Sequence, residues 1–331
     1  MYTDEDLSTA VKAGIFTDES IDAFRDHTAK LRNTPTVDEE NFQLLTGFND
    51  IFVVIACLLV LTSVAWFGAS INNLTGALAI TATSWGLAEY FVIKRRMALP
   101  AIVLLLSFIG GVLSSSLSAF GSYSEFTLLS SAVITAIAAW LHWQRFQVPI
   151  TVAAGTSAAV GCIVAITLAS NPEAKNWMLP VLFISGLAVF VYAMYWDSTD
   201  RLRKTRQSDV AFWLHLVAAP MIVHPIFSLL GILDGHSGLF EASIVIGLYV
   251  VMAIVSIAID RRAILVSGLI YVLYAFSTLL KTYGLQGSSS AITGIFMGSA
   301  LLLLSVYWHD CRNLLFNVLP TKLQRYLPPL N

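Results

Sequence analysis

Residues 51–69 read IFVVIACLLVLTSVAWFGA, nineteen positions without one charged side chain. About 20 mainly apolar residues in a helix cross the roughly 30 Å of hydrocarbon in a bilayer. Backbone amides find no water there, so such a segment closes its own hydrogen bonds as a helix. Working outward, nine further windows of this kind follow, at approximately 73–93, 98–119, 126–143, 148–169, 176–196, 210–232, 239–259, 263–283 and 288–308. The connectors are short, the longest running from Asp197 to Asp209. The expected fold is all-α, a polytopic membrane bundle of about ten helices. Residues 1–49 form an acidic cytosolic helical hairpin and linker, 50–308 the ten-helix domain, and 309–331 an amphipathic tail.

Composition excludes most alternatives. The 331 residues are 56% hydrophobic and 12% charged, where a soluble chain carries about 25% charged residues. With a mean hydropathy of +0.74 and a pI near 6.3, the chain is not read as a soluble enzyme, a disordered segment or a nucleic-acid binder. Three cysteines make no disulfide framework: Cys57 and Cys162 fall in apolar runs and Cys311 beyond the last. The polar, acidic start lacks the basic and apolar regions of a cleavable signal.

Basic residues orient the chain. With the N-terminus inside, alternate connectors and the two ends collect seventeen of the nineteen lysines and arginines, leaving Lys175 and Lys281 outside. This bias supports a cytoplasmic (inner) membrane location with both termini in the cytoplasm. Trp66 and Trp177 fall at the outer boundary. Trp140, Trp143, Trp196, Trp213 and Trp308 fall at the inner one, where an indole N–H is expected to stay wet.

The inner connectors also resemble one another, as in Glu89…Lys94-Arg95-Arg96, His142…Arg145, Asp197…Arg201, Asp260-Arg261-Arg262 and Asp310…Arg312. A period of about 50 to 60 residues is that of one helical hairpin and suits tandem duplication. Selection of aromatic and basic residues by the inner interface accounts for the same likeness.

At the front, residues 1–32 read as two short helices. Thr3 and Thr17 are placed to cap them, Gly14 closes the first, and Phe16 with Ile21 makes a hydrophobic staple. Residues 1–49 carry a net charge of −6, which repels anionic headgroups. This hairpin is expected to meet a protein partner, to pack on the basic inner turns, or to remain a solvated leader. The tail after His309 mixes leucines with Arg312, Lys322 and Arg325 and is broken by Pro320, Pro328 and Pro329, as in an interfacial helix pair.

Ionisable groups deep in a span are costly and usually functional, yet no window has an Asp, Glu, Lys or Arg at its middle. The seventh window, 210–232, stands apart with His215, His224, Pro220 and Pro225. Each proline frees the carbonyl four residues earlier, those of Leu216 and Met221. The helix is expected to bend or locally unwind there. Two readings remain: a packing kink with hydrogen-bonded histidines, or a polar cavity at His224 of the kind broken helices build in transporters. Nine residues at 100° each place the two histidines on opposite faces, so they are no chelating pair. His224 with Asp234, His236 and Glu241 has zinc-compatible residue types but no motif spacing.

Small residues form close-packing ridges, among them Ser107, Gly111 and Ser115, and Gly110, Ser114 and Ser118. Ser114 and Ser115 are the serines placed to line a hydrophilic path. No nucleophile elbow, zinc-helix motif or phosphate loop occurs, so neither an enzymatic activity nor a metal or cofactor is expected.

The stretch Ala13-Gly14-Ile15-Phe16-Thr17-Asp18-Glu19 resembles the opening turn of uncharacterised bacterial predicted-membrane-protein families. That resemblance implies a cytosolic hairpin followed by strings of spanning hairpins, and carries no activity. In span count and size the chain is also similar to the drug/metabolite transporter superfamily, departing from it by the acidic hairpin and the hairpin-length period. Two functions are carried forward: permeation of a small neutral or anionic solute beside the seventh span, and a non-catalytic accessory or scaffold subunit. A membrane enzyme ranks third and rests on His224 alone. Reporter fusions at residues 1 and 331 should behave as cytoplasmic and one at Gly121 as external; any exchange of side means a miscounted span.

Overall fold

The computed structural model describes residues 4–24, 48–121, 124–170, 172–201, 203, 205–231, 239–282, 287–320, 324 and 327–328. The remainder of the N-terminal hairpin and linker, Asp234, His236 and most of the last eleven residues lie outside the described residues. No strand occurs among those described. Helix α1 (Asp4–Lys12) turns through Gly14, which takes the left-handed φ of 72° open to glycine. In α2, described over residues 18–24, Thr17 Oγ1 accepts from the Ser20 amide while Ser20 Oγ accepts from that of Thr17.

The apolar windows become α3 (Phe48–Ala69), α4 (Asn73–Ala88), α5 (Ala98–Phe120), α6 (Glu125–Phe146), α7 (Ile150–Ser170) and α8 (Met178–Thr199). They continue as α9 (Arg206–Leu229), α10 (Leu239–Ile259), α11 (Ala263–Thr282) and α12 (Ser289–Val306), before α13 (Trp308–Val318). Among the described residues nine helices are long and apolar enough to cross a membrane; in α10 the apolar stretch Ser243–Ile259 is shorter. Polar residues mark the starts. Asn72 Oδ1 accepts from the Thr75 amide at 2.7 Å, and Ser124 and Thr205 cap α6 and α9 likewise. Helix α4 runs on into one π-helical turn, Glu89–Lys94, which re-aims Glu89.

Consecutive helices pack as hairpins from α3 to α9, after which α9 turns to α7 and α11. Two stripes on α9 explain its place. Val210, Leu214 and Ala218 sit in a cluster with residues of α7 and α8, and Ala219, Val223 and Phe227 in another with α10 and α11. Half of the most apolar window of α9 is buried, against 39% or less in the other eight spans. Large apolar side chains such as Phe52, Trp66, Ile184 and Leu302 are exposed, a surface suited to lipid.

Contrary to the expected unwinding, α9 is helical through both prolines. The Leu216 carbonyl that Pro220 frees accepts from Ser267 Oγ of α11 at 3.0 Å, so a neighbouring helix replaces the lost amide. On the opposite side α8 comes so close that a Cβ on Gly186 would lie 2.9 Å from the Met221 carbonyl carbon. Gly186→Ala should therefore destabilise by about 1–3 kcal/mol through forced separation of α8 and α9. Gly86→Ala, where a Cβ meets nothing within 4 Å, should not. Thermal unfolding of both variants in detergent checks the contrast.

Candidate functional site

Beneath the N-terminal end of α9 lies a layer of charge with almost no exposure. Asp197, near the end of α8, takes Arg261 Nη2 on Oδ1 at 2.5 Å and His215 Nε2 on Oδ2 at 2.9 Å. Arg261 stands in the turn between α10 and α11, and its Nη2 also donates to the Ser208 carbonyl at 3.0 Å and hydroxyl at 2.8 Å. One carboxylate thus ties α8, α9 and the α10–α11 turn together. Since that carboxylate already receives Arg261, the His215 nitrogen facing it carries the hydrogen. The other ring nitrogen, Nδ1, is buried without a hydrogen-bond partner among the described residues.

A second knot surrounds Asp260, which closes α10 in a left-handed conformation (φ 62°). Its Oδ1 accepts from Trp308 Nε1 at 2.8 Å, and its Oδ2 pairs with Arg203 at 3.3 Å and Arg312 at 3.2 Å. Arg203 Nη2 also donates to the carbonyls of Ile259 and Asp260 at the negative end of α10. Arg262 lies over the Trp308 ring at 4.9 Å. Burial, then the neighbouring Arg261 charge, pulls the Arg203 guanidinium down to about 10. It stays protonated at neutral pH, but with less margin than an exposed arginine. The tail closes over this knot: Arg312 donates to the Pro328 carbonyl, and Arg201 donates to that of Leu327 at 3.0 and 2.7 Å.

Trp308 therefore departs from the wet inner belt, being 1% exposed with its N–H spent on a carboxylate. Trp66, Trp140 and Trp177 are exposed, as suits indoles at a bilayer boundary.

The pairs recur along the chain. Glu89 accepts both Arg145 nitrogens (2.9 and 2.7 Å), Asp197 pairs with Arg261 and Asp260 with Arg312, so each of these acids meets an arginine that follows two helices later. At the place of the acid on α6 stands His142, ringed by Trp85, Phe108 and Phe146, with Nδ1 3.2 Å from Thr151 Oγ1. Among the described residues the α4–α5, α6–α7, α8–α9 and α10–α11 turns each hold one left-handed non-glycine residue: Arg96, Gln147, Arg203 and Asp260.

The residues singled out from sequence are distributed as follows. His215 and His224 face opposite neighbours, His215 toward Asp197 and His224 Nδ1 toward the Tyr271 hydroxyl of α11 at 3.3 Å. Pro225 is buried and Pro220 lies within the continuous α9. Ser114 lines a groove of about 530 Å³ between α3, α4 and α5, shared with Asn73, Gly76, Ser107 and Ser118. Ser115 bonds back to the Val112 carbonyl at 2.9 Å. His224 does not line this groove, so the α5 serines and His224 serve different places. No group of three metal-ligating residues occurs among those described, and the partners expected for a zinc site at His224 include Asp234 and His236, outside them.

Sequence reasoning missed the joint burial of Asp197, Asp260, Arg261 and Arg312. The available signal was an acid followed within a few residues by arginine at each inner turn. The layer is a non-covalent clasp between α8, α9, the α10–α11 turn and α13.

No protein-family model, no curated protein and no solved structure matches the chain.

Removing one partner of a buried pair leaves the other charge uncompensated, typically at about 3–5 kcal/mol. Arg261→Met should lose stability on that scale. In Asp197→Asn/Arg261→Met the loss should be clearly smaller than the sum of the single losses, as read from chemical unfolding of all three variants.

Proposed function

We propose that the chain is a ten-span protein of a bacterial-type cytoplasmic membrane with both ends inside, and that it moves a small neutral or anionic solute beside α9. The basic turns gather at one end of the bundle, bridged by Glu89–Arg145, Asp197–Arg261 and Asp260–Arg312, which supports the orientation. The same recurring pairs, with the likeness of the opening turn to bacterial membrane-protein families, support descent from tandem hairpins.

The observation that carries the transport reading is α9 itself. It is the most buried span, has two internal prolines, and gives a backbone carbonyl to another helix instead of its own. With no amide hydrogen on Pro220, that carbonyl depends on a donor from α11, a contact between helices that can be made or broken as an element shifts between states. His224 and Tyr271 supply polar groups in the outer half, while the Asp197–Arg261 clasp holds the inner end shut. A solute passes when α8 and α9 move against α10 and α11 and that clasp parts.

A second reading, the non-catalytic accessory subunit, is favoured by a different observation. On the acidic hairpin Ile15, Phe16 and Phe24 are exposed, an apolar surface that a protein partner would cover.

Substituted-cysteine labelling separates the two. In a chain with Cys57, Cys162 and Cys311 replaced, His224→Cys and Tyr271→Cys should react with a small water-soluble thiol reagent added from outside. Val223→Cys, buried on the neighbouring α9 stripe, should not. Protection of all three positions would remove the path and leave the accessory reading.

A further inference from the structure

A groove of about 280 Å³ opens at the inner turns, where the α4–α5 connector, the α6–α7 connector and the start of α9 meet. Its walls are apolar, including Met97, Ala101, Phe146 and Val148, and Trp213 forms part of one side. Its polar members are different in kind: Arg96, Gln147 and Arg206. Arg96 and Arg206 are both exposed. Asp209, three residues on, is an acidic neighbour of Arg206, and no carboxylate is among the residues that line the groove.

Backbone adds to the positive field. Ala98 and Ile150, the first residues of α5 and α7, both line the groove, so the positive ends of two helix dipoles lie there, although in α7 the Thr151 and Val152 amides already donate to the Val148 and Pro149 carbonyls. The residue before α5, Met97, makes no side-chain cap, and Pro100 in its first turn has no amide hydrogen. Two arginines and two positive helix ends thus stand over an apolar floor level with the ends of the spans.

We infer that this groove binds an anionic phospholipid of the inner leaflet, with its phosphate held by Arg96 and Arg206 and the start of an acyl chain along Met97, Ala101 and Val148. A basic pocket between helices on the cytoplasmic side is the expected receptor for such a headgroup. Charge complementarity selects the anion and the apolar floor selects an amphiphile over a bare ion. The volume suits a headgroup with a short length of chain, the rest remaining in the bilayer. This assignment does not depend on transport through α9.

The backbone supplies a clean variant. Arg96 sits at φ 52°, and Gln147 in the next inner turn holds φ 50° with a glutamine side chain. Arg96→Gln therefore removes charge at a position whose conformation glutamine already adopts in this protein. The full-length chain in detergent is offered phosphatidylglycerol, phosphatidylcholine or inorganic phosphate, and bound lipid is counted by native mass spectrometry. Phosphatidylglycerol should be retained over phosphatidylcholine, and Arg96→Gln and Arg206→Gln should each lower that preference about fivefold, from about 1 kcal/mol per basic residue near an anionic surface. Lys94→Gln, outside the groove, should leave it within twofold. Equal retention of the two lipids by the wild-type chain would overturn the assignment, as would an unchanged preference in both arginine variants. Should inorganic phosphate displace the lipid completely, the apolar floor plays no part and the lipid assignment also falls.

Discussion

The pairing of Asp197 with Arg261 is the constraint that the inner half of the molecule is arranged around. Neither ion has access to water, and the desolvation of such a pair costs several kcal/mol per ion unless the geometry and further hydrogen bonds offset it. Here Ser208 and His215 complete the shell. Their positions follow: α9 begins where Ser208 can reach the guanidinium, and its next two turns carry His215 to the carboxylate. The α10–α11 turn is fixed from the other side. All four groups are satisfied together in this placement of α8, α9 and the α10–α11 turn, and a buried pair of this kind is weak evidence for net stability.

Lipid imposes the second condition. An apolar surface facing hydrocarbon gives no direction to helix packing, so specificity falls to small residues and to the few polar contacts. At α9 both are present. Gly186 admits the helix from one side, and Ser267 meets its spare carbonyl from the other. A proline that would break a soluble helix is accommodated here because two neighbours were shaped around it.

How much of this was readable in the residues depends on range. Windows free of charge announced the helices, since hydrogen-bond closure in hydrocarbon is a local requirement. The opposite facing of His215 and His224 followed from helical rotation alone. The carbonyl freed by Pro220 was equally local, but its new partner lies 51 residues on, and nothing near Leu216 points to Ser267. Asp197 and Asp260 occupied the ends of apolar windows, where a carboxylate is cheap to hydrate. They are buried because a turn 64 residues from Asp197 and a tail 52 residues from Asp260 fold over them. Trp308 failed the belt rule for the same reason. A tryptophan at a boundary is wet only if no later segment covers it.

The closure of Asp260 by Arg312 has a consequence for biogenesis. A chain is assembled in the order of its synthesis, and Arg203 precedes Asp260. Arg312, Trp308 and the Leu327 carbonyl arrive only after all the apolar helices. Until they do, the acid has one of its three side-chain partners, and Arg201 lacks the acceptor it takes from the tail. A chain without those groups thereby holds an incompletely paired carboxylate at that end of the bundle. The segment around Trp308 and Arg312 completes a pairing that the preceding helices leave open.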